Sequence, residues 1–169
     1  DGCMKKYGNA KVRLGSGFTR YLKNATERYN QVHTIATGNN VRSIIGPDNI
    51  YVSIGVRHNK KKINTDTVEP MLSVSKNLLI EGTGGSGKSM MMRYLFLNTA
   101  EYVPVLLELR KISKQSSGNI SIMDLIYSCM KDFDVELPRE QFEFSLQIGK
   151  YIFLMDGFDE VKESMALET

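Results

Sequence analysis

The sequence predicts an α/β fold in which a parallel sheet is flanked by helices, and three observations predict it. Short apolar runs alternate with stretches of helical periodicity from about residue 77 onward. The first run leads through a glycine-rich loop into an apolar helical segment. The last run, residues 151–155, ends on an acidic residue, Asp156. Strands separated by helices pair in parallel through right-handed crossovers. The change of pattern divides the chain into residues 1–70, a helical and extended lead-in, and residues 71–169, the α/β core.

In chain order, Phe18, Tyr21, Leu22, Ala25 and Tyr29 recur at helical spacing behind Ser16 and Gly17, which predicts an amphipathic helix. Glycine, asparagine and proline dominate residues 37–40 and 46–49, around the apolar pair Ile44 and Ile45. Residues 50–56 alternate well enough for a strand or an extended segment, and the polar run 57–62 reads as a solvated loop. Leu78, Leu79 and Ile80 suit a strand buried on both faces. Residues 90–97 form an apolar helix, and residues 102–109 a second strand with Pro104 near its start. Ile122, Leu125, Ile126, Cys129, Met130 and Phe133 fall on one helical stripe, with Ser121 in the N-cap position. Pro138 opens a further helix carrying Phe142 and Leu146, which Gly149 is placed to end. Residues 151–155 make the third buried strand.

Composition narrows the function classes. The 169 residues suffice for one ordinary domain and its core, and a net charge of +3 is compatible with a polyanionic partner without demanding one. The two cysteines, Cys3 and Cys129, make no disulfide framework and no zinc spacing, which fits a cytoplasmic setting. No stretch approaches the roughly 20 apolar residues of a membrane helix, and the N-terminus has no apolar signal region. The chain opens without Met and stops soon after Asp156, so a piece of a longer protein is expected, with an incomplete sheet and exposed strand edges. His33 and His58 lack partners at catalytic spacing, Lys60, Lys61 and Lys62 form a short basic run without interleaved aromatics, and Met90, Met91 and Met92 suit core filling. Nucleic-acid binding is not indicated.

The chemistry concentrates in two places. Gly82, Thr83, Gly84, Gly85, Ser86, Gly87, Lys88 and Ser89 match the phosphate-loop pattern G-x-x-x-x-G-K-[ST] at every fixed position. Glycines let a backbone curl round a phosphate with its N–H groups inward, and the loop opens on a helix N-terminus that favours an anion. Lys88 supplies a charge for the β- and γ-phosphates, and the Ser89 hydroxyl is a Mg²⁺ ligand. Asp156, at the C-terminal edge of an apolar strand, stands where ligands sit in open parallel sheets and where a Walker B acid holds Mg²⁺. Asp159 and Glu160 follow, either to orient or deprotonate an attacking water or as a solvated turn.

The segment Met155-Asp156-Gly157-Phe158-Asp159-Glu160 resembles the Walker B of NACHT domains, in the STAND class of P-loop NTPases. The family sets a small residue after the metal-binding Asp, then an apolar residue, then two acids, and each position matches. Residues 104–110 are similar to the family's following strand, and the resemblance covers about residues 75–162. It implies ATP and ADP as ligands with Mg²⁺, Asp156 on the metal, Asp159 serving the water and Glu160 supporting it. It further implies an adenine contact upstream of the loop, for which Tyr51 and Val52 are candidates beside the alternative of an ordinary core strand. Such proteins are signalling switches that hydrolyse ATP slowly, self-oligomerise on activation and act in immunity, including defence against phage. Competing readings are another P-loop ATPase such as an AAA+ motor, a small-molecule kinase, or a non-hydrolysing nucleotide-binding assembly scaffold. No N-K-x-D motif follows the loop, which argues against a GTPase.

Overall fold

The computed structural model describes residues 16–33, 41–46, 49–109, 121–148 and 151–158. The chain forms two compact units, one of residues 1–24 with 100–169 and the other of residues 25–99. Helix α1, Thr19–Asn30, contributes its first half to one unit and its second half to the other. A 3-10 turn, Ser16–Phe18, leads into it. All five apolar residues of its predicted stripe are buried, from Phe18 to Tyr29.

The discontinuous unit is built on a parallel pair. Strand β5, Val103–Glu108, runs beside β6, Tyr151–Asp156, in a register that sets Val103 opposite Tyr151 and Glu108 opposite Asp156. (The other unit holds β1, Gln31–His33, β2, Val41–Ser43, β3, Val56–His58, and β4, Lys61–Ile63.) From Val103 to Leu107 every β5 residue is buried, as expected of a strand in a parallel sheet. Helix α4, Ile122–Lys131, packs against β5. The Cys129 thiol donates to the Leu106 carbonyl at 3.4 Å. Ser121 caps α4 in both directions: its hydroxyl accepts from the Asp124 N–H and donates to the Asp124 carboxylate. The Ser121 hydroxyl, and then Arg139, hold the Asp124 carboxyl below its ordinary range. Pro138 leads into α5, Arg139–Ile148, and its carbonyl accepts the Phe142 N–H at 3.0 Å. From the N-terminal side, the Tyr21 hydroxyl donates to the Pro104 carbonyl at 2.7 Å and the Phe18 ring meets Tyr151 edge-on.

Two expectations in this unit need correction. Ile122 is the exposed end of the α4 stripe, whose buried residues are Ile126 and Met130. Ile122 occupies the first turn, at the edge of the face that meets the sheet. Strand β6 is not buried on both faces: Leu154 is buried, whereas Phe153 and Met155 are 38% and 41% exposed. Strand alternation turns those two away from Leu154, onto a face that is only partly covered.

In the other unit, the second half of α1 packs Tyr29 edge-on against Phe96 at 4.9 Å. Strand β1, Gln31–His33, pairs antiparallel with β2, Val41–Ser43. The Asn30 side chain holds the next turn by accepting the Ile45 N–H and donating to the Ile45 carbonyl, and Ile44 is fully buried. Strands β3, Val56–His58, and β4, Lys61–Ile63, form a hairpin. This corrects the expected loop at residues 57–62. Asn59 and Lys60 have φ of 48° and 67°, the left-handed pair of a two-residue hairpin turn whose twist suits the strands. Polarity there reflects an exposed hairpin rather than an irregular loop. Residues 50–55 take the extended alternative and join no strand ladder among those described. A short helix α2, Glu69–Leu72, precedes the glycine-rich loop, and α3, Lys88–Asn98, follows it.

The expected strand at residues 78–80 is absent. These residues join no ladder among those described, and Leu78 and Leu79 are 40% and 73% exposed. Three apolar residues between Asn77 and Glu81 cannot bury themselves without a neighbouring strand to pair with. The fold is thus mixed α/β with two-stranded sheets, one of them parallel, and the continuous P-loop sheet is not formed among the described residues. No helix among them is long and apolar enough to cross a membrane.

Candidate functional site: the phosphate loop and the acidic strand end

The loop of residues 82–89 lies wholly within the unit of residues 25–99. Its turn closes through the Ser86 N–H, which donates to the Thr83 carbonyl at 3.2 Å. Gly85 and Gly87 have φ of 75° and 87°, conformations that side chains with a Cβ rarely adopt. Gly87 is also the N-cap of α3, without any side-chain cap, and its carbonyl accepts the Met91 N–H at 2.9 Å. Capping here is left to the backbone, so the first N–H groups of α3 face the loop rather than a capping side chain. Residues 81–86 are exposed, and there is open space where a Cβ at Gly84 or Gly85 would stand.

Lys88 begins α3 and folds back over the loop. Its ammonium donates to the Gly82 carbonyl at 2.6 Å and to the Thr83 carbonyl at 3.1 Å. Ser89 follows on the first turn of α3. A cation, glycine main chain and a helix N-terminus are therefore adjacent in one exposed loop. That donor set is the chemistry a polyphosphate requires.

The segment before β3 packs onto this loop. The Ile54 side chain lies so close to Gly87 that a Cβ there would stand 2.5 Å from Ile54 Cδ1. The Tyr51 ring stacks on Tyr94 of α3, with centroids 3.9 Å apart and planes at 17°. Burial pushes the Tyr51 hydroxyl above its usual range. The Ile54 backbone and the Thr65 hydroxyl oppose that rise only in part, and the Tyr51 hydroxyl makes no hydrogen bond of ordinary geometry. Val52 is 80% exposed. Tyr51 thus has one face on a partner within the chain, while Val52 points to solvent.

Asp156 belongs to the discontinuous unit, where it is the last residue of β6 and half-buried. Gly157 follows at φ 79°, so the small residue after the acid serves a left-handed turn off the strand. The register also puts Glu108 opposite Asp156, so two carboxylates end the parallel pair side by side. Pairing the last residues of the two predicted strands is the signal that would have found Glu108. Tyr94 and Ile54 carried no such signal, because their roles depend on which side of α3 and of the loop the upstream segment lies. Asp159 and Glu160 lie outside the described residues. No group of three or more metal-ligating side chains is assembled among the described residues.

No family model matches the chain, and neither does any curated protein or solved structure.

Proposed function

We propose that this chain is a P-loop nucleotide-binding protein that takes the phosphates of ATP or ADP on residues 82–89. More narrowly, the reading is an ATP-dependent switch of the NACHT type, hydrolysing slowly in the cytoplasm and self-oligomerising on activation, with a role in immunity. The observation that carries it is the folding of Lys88 back over the loop, its ammonium within hydrogen-bond reach of two loop carbonyls at the head of α3. A bound phosphate offers that ammonium a charged acceptor in place of neutral carbonyls, which is the stronger bond. Lys88 and the loop N–H groups would hold the phosphates. Ser89 and Asp156 would hold Mg²⁺, which neutralises phosphate charge. Asp159, with Glu160, would orient the attacking water. The preference for adenine and the switch behaviour rest on the Walker B resemblance.

The test is nucleotide binding with Mg²⁺, comparing ATP, ADP and GTP on the chain and on Lys88→Ala. Loss of the charge-assisted bond predicts about 10- to 100-fold weaker binding. Adenine nucleotides should bind more tightly than GTP. Equal binding by the variant, or no binding by the unaltered chain, overturns the reading.

A further inference from the structure

We infer that Ile54, held in place by Thr65, is the residue that positions the phosphate loop. The inference rests on the nucleotide reading above and asks what keeps the loop in its shape before phosphate arrives.

Within the loop, the Lys88 ammonium on the Gly82 and Thr83 carbonyls and one turn hydrogen bond are the holds, and none of them fixes the Gly87 end. Residues 81–86 are exposed, Gly84 has open space around it, and the hydrogen bond closing the turn, Ser86 N–H to Thr83 carbonyl, is long at 3.2 Å. A glycine-rich segment of this kind loses the most conformational freedom when it is ordered. Its fixed end is Gly87, the N-cap of α3, and the side chain set against Gly87 is Ile54. A Cβ at Gly87 would stand 2.5 Å from Ile54 Cδ1 and 3.7 Å from Cγ1. Ile54 therefore occupies the room that a larger residue at Gly87 would need, and it braces the left-handed turn from one side.

Ile54 is itself anchored. Thr65 is 1% exposed, and its hydroxyl donates to the Ile54 carbonyl at 2.5 Å. Three residues earlier, the stack of Tyr51 on Tyr94 ties the same extended segment to α3. Residues 51–54 have no strand partner of their own among those described, so the segment is held by these attachments, with the Ser53 hydroxyl 3.5 Å from that of Thr65 and the Tyr51 N–H donating to the Asn49 side chain. Thr65 fixes the main chain of Ile54, Ile54 fixes Gly87, and Gly87 fixes where the loop N–H groups meet α3. The consequence is preorganisation: part of the ordering cost of the loop is met before the ligand binds.

This role makes a prediction that separates it from an adenine contact. A brace on the loop acts on phosphate binding alone, so it should affect inorganic tripolyphosphate and ATP equally. The variants are Ile54→Val, which removes only the methyl set against Gly87, and Thr65→Val, which keeps shape and removes the hydroxyl. Each should weaken tripolyphosphate and ATP by the same factor, about threefold to tenfold, as expected for one methyl contact or one neutral hydrogen bond. Far-UV circular dichroism would confirm that both variants remain folded, and neither change is large enough to empty the core.

A loss confined to ATP, with tripolyphosphate unaffected, would overturn the inference in favour of a base contact. Unchanged binding of both ligands by both variants would overturn it outright. If the unaltered chain bound neither ATP nor tripolyphosphate, the nucleotide reading itself would fall and this inference with it. That outcome is distinct from a chain that binds both ligands and ignores Ile54.

Discussion

Two apolar runs in this chain look alike in sequence and end differently. Residues 78–80 and strand β5 are both short, and each carries an adjacent pair of leucines. In β5, Leu106 and Leu107 are each 1% exposed, whereas Leu79 is 73% exposed. The difference lies outside both runs. Strand β5 has β6 beside it in full register and α4 against it, while residues 78–80 have no partner strand among those described. A strand is a statement about two segments. An apolar run alone makes half of it.

The sharpest way to break that comparison is to truncate one leucine in each run. Leu106→Ala should destabilise the chain by about 2–5 kcal/mol, the range for a buried leucine whose cavity cannot collapse. Leu79→Ala should stay within about 0.5 kcal/mol, as surface substitutions do. Urea unfolding at equilibrium would measure both. Similar costs would mean that residues 78–80 are buried in solution and that the two runs do not differ.

A smaller effect tests the cover over β5. The Ser121 hydroxyl satisfies the Asp124 N–H at the start of α4, the helix packed on that strand. Ser121→Ala should cost about 1 kcal/mol, the usual loss on removing an N-cap. The same denaturation experiment reads it as a lower midpoint with unchanged slope. No shift at all would mean that the first turn of α4 contributes nothing to holding the sheet.

What could be read from the sequence follows the same division between local and non-local causes. Most helices were legible because they carry their own signals, the α1 stripe from Phe18 to Tyr29, the Ser121 cap and Pro138 before α5, whereas the four-residue α2, Glu69–Leu72, was missed. Their outcome depends on residues a few positions apart. The glycine turn at the head of α3 was legible for the same reason, since Gly85, Gly87 and the helix start lie within a few residues of one another. The hairpin of β3 and β4 was missed because its turn residues, Asn59 and Lys60, sit in a polar run with little alternation. Asn59 is a good left-handed residue, but Lys60 is not, so the usual Asn-Gly signal was missing. Tyr94 beneath Tyr51 and Ile54 against Gly87 were not legible, and Glu108 beside Asp156 was legible only by pairing the ends of the two predicted strands. Each needs a register or a packing direction that no spacing along one segment specifies.

The finest test of the comparison uses β6, the partner that makes β5 a strand. The Tyr151 ring lies edge-on to Phe18 and to Phe142, and its hydroxyl is 2.6 Å from the Ser145 hydroxyl. Burial pushes this hydroxyl up from 10.0 to about 12, against a smaller opposing pull from the Ser145 hydrogen bond. The folded chain then keeps the phenolic proton at a pH where the unfolded chain has lost it. Stability from this group is fully present below pH 10 and is lost as the pH rises from 10 toward 12. Tyr151→Phe has no proton to lose, so its thermal midpoint should fall less steeply than that of the unaltered chain between about pH 10 and 12. Other tyrosines and the lysines titrate in both proteins, and the difference between the two slopes isolates Tyr151. Parallel slopes would mean that the Tyr151 hydroxyl is as well solvated in the folded chain as in the unfolded one. In that case β6 would not be packed as described, and β5 would lose the partner that distinguishes it from residues 78–80.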